Sequence, residues 1–175
     1  LAESWFITYG NDGWKKKANE NIQKINLVPD RTRTEYEHAI DWLENWPCIR
    51  NFGLGTKLPV DTKFVIEPLS DSTIYMAFYT ISHLIKTYKA EQLTHEFFDF
   101  ICNGKGKIED VSKKTKIKKE DLAEIQESFS YWYPLYWRCS ALELIQNHLT
   151  FMVFHHTALL TRRAGLKVSR PLAWV

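Results

Sequence analysis

Several things are scarce or missing in this chain, and each narrows what it can be. Its three cysteines, Cys48, Cys102 and Cys139, are odd in number, widely spaced and form no Cys-x-x-Cys. That pattern argues against a disulfide framework or a structural zinc site and fits a reducing compartment. No apolar run is long enough to cross a bilayer. The opening Leu1-Ala2-Glu3-Ser4 has no initiator Met and no signal-peptide pattern, and reads as the middle of a longer chain. There is no strong excess of charge of either sign. The net charge is +2 with a sequence pI near 8.4, so composition does not announce a nucleic-acid binder. Gly53 and Gly55 are not followed by Gly-Lys-Ser/Thr, so they form no phosphate loop. No internal repeat is visible.

What is present is ordinary globular material rich in aromatics. The 175 residues are 45% hydrophobic, 25% charged and 14% aromatic, enough for one domain with a real core. In residues 1–50, Trp5-Phe6-Ile7 reads as a short strand, followed by the turn Gly10-Asn11-Asp12-Gly13. A polar helix is expected over Trp14 to Ile25. A second is expected over Thr32 to Trp46, with Tyr36, Ile40 and Leu43 on one face and Pro47 as its stop. Residues 51–88 hold a Gly-rich loop, a strand from Lys63 to Glu67, and the clearest periodicity of the chain. Ser70 is expected to cap a helix that carries Ile74, Ala77, Phe78, Ile81, Leu84, Ile85 and Tyr88 at helical spacing.

Residues 89–133 read as an insertion, broken at Asn103–Lys107. Seven lysines fall between Lys105 and Lys119. A helix then runs from Glu120 to Tyr133, with Leu122, Ile125, Phe129 and Trp132 as its stripe, and Pro134 ends it. Residues 134–160 read as a strand, Leu135 to Cys139, and a helix from Leu142 to Leu160 that is apolar on two faces. Such a helix is buried inside a larger protein. Strand, helix, insertion, strand, helix suggests an α/β fold: part of a parallel sheet with helical insertions.

Taken on their own terms, individual residues support bland readings. Leu69 and Tyr75 read as core, Ser72 as a capping hydroxyl, His148 as a hydrogen-bonded core histidine, and Glu143 as a charge compensating a helix dipole. His148, His155 and His156 raise the question of a metal site, but no Cys, Asp or Glu accompanies them at ligand spacing.

Three segments carry a resemblance. The run Ile66-Glu67-Pro68-Leu69-Ser70-Asp71-Ser72-Thr73-Ile74-Tyr75-Met76-Ala77-Phe78-Tyr79-Thr80 closely resembles a signature of the archaeal and eukaryotic cytosolic leucyl-tRNA synthetases. Asp41-Trp42-Leu43, Cys48-Ile49-Arg50 and Gly53-Leu54-Gly55-Thr56-Lys57-Leu58-Pro59 are similar to the re-entry into the catalytic core after the editing insertion of the Leu, Ile and Val synthetases. Tyr131-Trp132-Tyr133-Pro134 through Asn147-His148-Leu149 resembles the strand and helix that hold the nucleotide ribose. The resemblance covers about residues 4 to 159 and leaves 161–175 as a divergent tail.

The resemblance implies the C-terminal half of a class I synthetase Rossmann-like catalytic core. It is helix-rich, with residues 1–50 as the core re-entry and 51–88 as the leucine pocket. By the same resemblance Leu69, Ser72, Tyr75 and His148 bind leucine, and Ala141 and Glu143 face the ATP ribose; a carboxylate suits two neighbouring hydroxyls. ATP with Mg2+ is the implied co-substrate. tRNA-Leu, leucine and the remainder of the synthetase chain are the implied partners, in the cytoplasm and with no membrane. No catalytic residue and no protein-held metal is implied. The lysine-rich insertion then reads either as a solvated, mobile insert or as a tRNA contact.

Departures from the pattern are Val60 in place of Trp, Tyr136 in place of Asp, Ser4 in place of Gln, and Ala141 in place of Gly. Neither the His-Ile-Gly-His-type motif nor the Lys-Met-Ser-Lys-Ser loop occurs in these residues. The chain alone is therefore expected to be inactive. A degenerate paralogue with a non-catalytic, tRNA-associated role is the alternative.

Overall fold

A computed structural model describes residues 4–135 and 138–160. Strand β1, Phe6–Thr8, leads through the Gly10 turn into helix α1, Asp12–Ile22, which Asn11 caps by accepting from the Trp14 amide at 3.0 Å. Helix α2, Arg31–Trp42, follows. It buries Tyr36 and Ile40, with Leu43 just past its end, so the expected face is the one that packs. The helix stops four residues before the position expected. The chain turns at Leu43, whose backbone is extended, and Asn45–Pro47 becomes strand β2, antiparallel to β1. The pairing Ile7 to Trp46 lets β1 and β2 share their backbone hydrogen bonds, a tertiary gain that outweighs helix continuation.

Strand β3, Ile49–Arg50, pairs antiparallel with β4, Val65–Ile66. The loop between them folds back on β4, where Thr56 and Leu58 bond Ile66 and Phe64. Both sheets among the described residues are antiparallel and two-stranded, so the parallel sheet expected from the element order does not form within them. The expected strand at Leu135 to Cys139 falls partly outside the described residues; the described remainder is irregular.

The long periodic helix expected from Ser70 is three short ones: α3, Pro68–Asp71; α4, Tyr75–Tyr79; and α5, Ser82–Ile85. The cap is Glu67, whose carboxylate accepts from the Ser70 amide at 3.1 Å, and Ser70 lies inside α3. A 3₁₀ turn, Ala90–Gln92, opens the insertion. It continues as α6, His95–Asn103, capped by Thr94; α7, Ile108–Thr115; and α8, Lys119–Trp132. Leu122, Ile125 and Phe129 are buried as expected, while Trp132 is exposed. The lysine-rich stretch is helical over Ile108–Thr115 and buries Val111 and Ile117, so it is not merely a solvated insert.

The last helix opens as a 3₁₀ turn, Leu142–Leu144, continues as a π-helical turn, Ile145–Leu149, and becomes α-helix α9, Thr150–Leu159. It is apolar on both faces and both are covered; α1 lies along one side, where the Trp14 indole donates to the Phe154 carbonyl at 2.9 Å. Tyr9, wholly buried, stacks on Trp14 and Phe151. The result is a helix-rich α/β unit with small sheets around one buried cluster.

Candidate functional site

The hollow that concerns function forms where β4 runs into α3 and α4. It is shallow, about 240 Å³, and open on one side. Ser72 and Tyr75 line it, together with Ile66, Pro68, Asp71 and the Leu54-Gly55 turn. The turn can come this close because residue 55 is glycine. Its φ is +156°, and a β-carbon there would fall 2.6 Å from a methyl of Val65.

The segment between α3 and α4 sets the hollow's shape. In a continuous helix the carbonyls of Ser72 and Thr73 would accept from the amides of Met76 and Ala77. Here the Ala77 and Phe78 amides both bond the Ile74 carbonyl. Histidines from the last helix take the two carbonyls instead. His148 Nε2 donates to the Ser72 carbonyl at 3.2 Å, and His156 Nε2 donates to the Thr73 carbonyl at 2.9 Å. His156 Nδ1 in turn accepts from the Tyr133 hydroxyl at 2.7 Å. His155 completes the set: its Nε2 meets the Tyr9 hydroxyl at 2.8 Å and its Nδ1 the Thr73 hydroxyl at 2.6 Å. That hydroxyl donates to the Ser70 carbonyl at 3.2 Å.

The electrostatics match these roles. Burial lowers the His148 pKa, and it pushes His155 and His156 down to about 4, so these rings stay neutral with one N–H and one lone pair each. Both nitrogens of His155 and of His156 are already engaged, which leaves neither lone pair for a metal. Among the described residues no group of three or more His, Cys, Asp or Glu is placed to hold one.

The site residues named from the sequence are brought together unevenly. Ser72 and Tyr75 share the hollow, and His148 is bound to the Ser72 backbone. Leu69 is half-buried against the core, away from the hollow's lining. The expectation that one helical turn presents Leu69, Ser72 and Tyr75 on one face fails, because the helix breaks between the last two. Ala141 and Glu143 lie exposed at the start of the 3₁₀ turn. Ala141 has an ordinary extended backbone, φ −76° and ψ 149°, which tolerates a β-carbon. Val60 is exposed, and Tyr136 lies outside the described residues.

Two features escape sequence reasoning. Arg138 donates to the Tyr75 hydroxyl at 3.3 Å, and nothing in the local pattern points to it. The convergence of His155 and His156 on Thr73 is the other; the doubled histidine is its only signal.

No protein-family model matches the chain. Curated proteins do. The leucine–tRNA ligase 2 of Saccharolobus solfataricus is 50% identical over 161 residues, 91% of this chain and 17% of that protein. The leucine–tRNA ligase of Methanopyrus kandleri is 46% identical over 159 residues, again 91% and 17%. That of Pyrobaculum neutrophilum is 48% identical over 177 aligned positions, covering the whole chain and 19% of the relative. The chain is homologous to a segment of the archaeal leucine–tRNA ligases. It spans only 17–19% of the length of these ligases. The Pyrobaculum match extends over the whole chain, residues 161–175 included, while the other two cover 91% of it. Among the described residues no helix is long and apolar enough to cross a membrane.

Proposed function

We propose that this chain is part of a leucine–tRNA ligase and supplies the leucine-pocket side of its catalytic core. The observation that carries the reading is the hollow, where Ser72 and Tyr75 meet beside His148. An amino-acid pocket needs apolar walls and a few fixed polar groups. The Tyr75 ring, Ile66 and Leu54 offer the walls; the Ser72 and Tyr75 hydroxyls offer the polar groups. Leu69 sets the packing behind them. Ala141 and Glu143 begin the segment that faces the ribose of ATP.

In this reading the complete enzyme activates leucine by attack of its carboxylate on the α-phosphorus of ATP, with pyrophosphate leaving, and then transfers leucine to tRNA-Leu. Magnesium enters with the nucleotide. Phosphoryl chemistry of this kind depends on positioning and on cations around the phosphates. The groups that hold the phosphates belong to the rest of the synthetase, which also supplies the remaining strands of a Rossmann-like core. Several aromatic and aliphatic side chains await that cover: Phe6, Phe52 and Val60 are 55%, 78% and 73% exposed. The setting is the cytoplasm.

The test uses the complete enzyme. Tyr75→Ala removes a wall and a hydroxyl and is expected to raise the leucine Michaelis constant roughly thirtyfold or more, from the loss of a packed ring and a polar partner. The ATP constant should stay within about twofold, because the change leaves the ribose side intact. Equal losses for both substrates, tracking a lower melting temperature, would return Tyr75 to the core.

A further inference from the structure

Thr73 is the most heavily tethered residue near the hollow, yet it lines no part of it. It is wholly buried and sits between Ser72 and Tyr75, in the gap between α3 and α4. Two hydrogen-bonded chains end on it. One runs from the Tyr9 hydroxyl through both nitrogens of His155 to the Thr73 side chain. The other runs from the Tyr133 hydroxyl through both nitrogens of His156 to the Thr73 carbonyl. The anchors lie far apart in sequence: Tyr9 just after β1, Tyr133 at the end of α8. Both are buried, as are the rings between them or nearly so.

We propose that His155 and His156 are positioning residues for the leucine pocket, holding Thr73 so that Ser72 and Tyr75 face the hollow. The inference rests on the reading of that hollow as the leucine site. The physical argument is one of exchange. A helix continuing through Ser72 and Thr73 would satisfy their carbonyls within its own ladder. It would also set Ser72 and Tyr75 at the fixed angle of residues three apart on one helix. Breaking the ladder frees their relative orientation but leaves buried carbonyls in need of donors. A neutral histidine with its far nitrogen anchored supplies a donor whose direction is fixed. Burial keeps both rings neutral, which preserves the one-donor, one-acceptor pattern that each chain requires. The rings themselves touch no substrate in this arrangement. They act through Thr73.

The experiment uses the complete synthetase and measures leucine and ATP Michaelis constants by pyrophosphate exchange, with a melting curve for each variant. His156→Ala removes the donor to the Thr73 carbonyl. It is expected to raise the leucine constant about tenfold, the effect of a buried carbonyl losing its partner, while the ATP constant stays within about twofold. His156→Gln keeps a donor close to the Nε2 position and should recover most of the loss. Thr73→Val deletes only the hydroxyl and severs the His155 chain with little change of shape. It should raise the leucine constant by a few fold, and Thr73→Ser should restore it. If His156→Ala does not fold, Thr73→Val carries the test. A purely structural role lowers the melting temperature and the active fraction but leaves both constants unmoved, and that result would overturn the proposal. So would a Gln variant no better than Ala. Tyr75→Ala separates the two levels. If it raises the leucine constant and the Thr73 and His156 variants do not, the positioning role alone is wrong. If it too leaves leucine binding unchanged, the pocket reading falls and the proposal with it.

Discussion

The insertion and the hollow are built by opposite rules. Helices α6 to α8 follow local chemistry. Thr94 caps α6 at its start, and Gly104, at φ +61°, ends it in the left-handed region that favours glycine. Glu109 and Asp110 open α7, and Lys113 and Lys114 close it, each sign at the end where the helix dipole favours it. Their buried residues recur at helical spacing, and their charged pairs lie at the surface. The hollow depends on distant partners instead. Its helix is cut into short pieces, and the released carbonyls are held by side chains about 80 residues away. A region built from local rules has many equivalent supports. A region built on a few long bonds is specified by those bonds, and they carry both its shape and its use.

The sharpest way to break this contrast is to damage each side in its own terms. Phe97 is wholly buried on α6 and takes no part in the histidine chains. Phe97→Ala should destabilise the chain by about 3–5 kcal/mol through lost burial and the cavity left behind. In the complete enzyme it should leave the leucine constant unmoved. Urea denaturation of the chain and exchange kinetics of the enzyme check the two halves. A leucine constant that rises with the loss of stability would show that the insertion shapes the pocket as well.

Acid separates the regions next. His155 and His156 titrate near pH 6.5 once unfolded but at about 4 when folded, mainly because of burial. The unfolded chain thus binds more protons between those values. The stability the histidines contribute is complete above pH 6.5 and drains away as pH falls toward 4. For the deeply buried His156 that is on the order of 3 kcal/mol. Glu96 of the insertion behaves differently. Its hydrogen bond to Lys114 heads the causes that push it down to about 2, so its contribution persists above its ordinary range, near 4.5, and fades only toward 2. Melting temperatures from pH 7.5 to 3 should therefore start to fall below 6.5, with the near-ultraviolet signal of Tyr9, Trp14 and Tyr133 changing first. A melting temperature flat down to pH 4.5 would remove the histidines from the account.

The same contrast explains what the sequence could reveal. Helix α8, the face of α2 formed by Tyr36, Ile40 and Leu43, and the two-sided burial of the last helix are written in period and composition, and the structure has them. The signals for α6 are also local, Thr94 before and Gly104 after, though the sequence pattern marks most plainly the break at Asn103–Lys107. The cut between α3 and α4 has no such signal. Ala77, Ile81 and Ile85 keep helical spacing with the buried Thr73 before them because the core still lies on that side, while Ile74 at the break is exposed. The apolar period reports which side is buried, not whether the hydrogen-bond ladder is continuous. The early stop of α2 is of the same kind, since Asn45–Pro47 becomes a strand only because β1 lies alongside. At the hollow, Ser72, Tyr75 and His148 come from resemblance, while Thr73, Arg138 and the two tethering histidines come only from geometry.

The smallest expected effect concerns the lysines of the insertion, and it decides whether that region has a binding role of its own. Three of the seven between Lys105 and Lys119 are already paired: Lys105 with Asp99 at 3.3 Å, Lys114 with Glu96 at 2.8 Å, and Lys119 with Glu109 at 3.2 Å. Pairs this exposed contribute little to stability, typically under about 1 kcal/mol, so replacing them should barely move a melting curve. Their pairing also weakens the positive field that a phosphate backbone would meet. In the complete enzyme, changing Lys113, Lys114, Lys118 and Lys119 together to Gln should therefore leave the salt dependence of tRNA binding nearly unchanged. Every lysine–phosphate pairing that the substitutions abolish would flatten the slope of log K against log salt by about 0.7–0.9. A slope flatter by about two or more would place the α7–α8 surface on the tRNA. The insertion would then join the hollow as a region shaped by what it binds. An unchanged slope, with leucine and ATP constants also unmoved, leaves α6 to α8 as a helical buttress whose lysines serve solubility and the surface pairs.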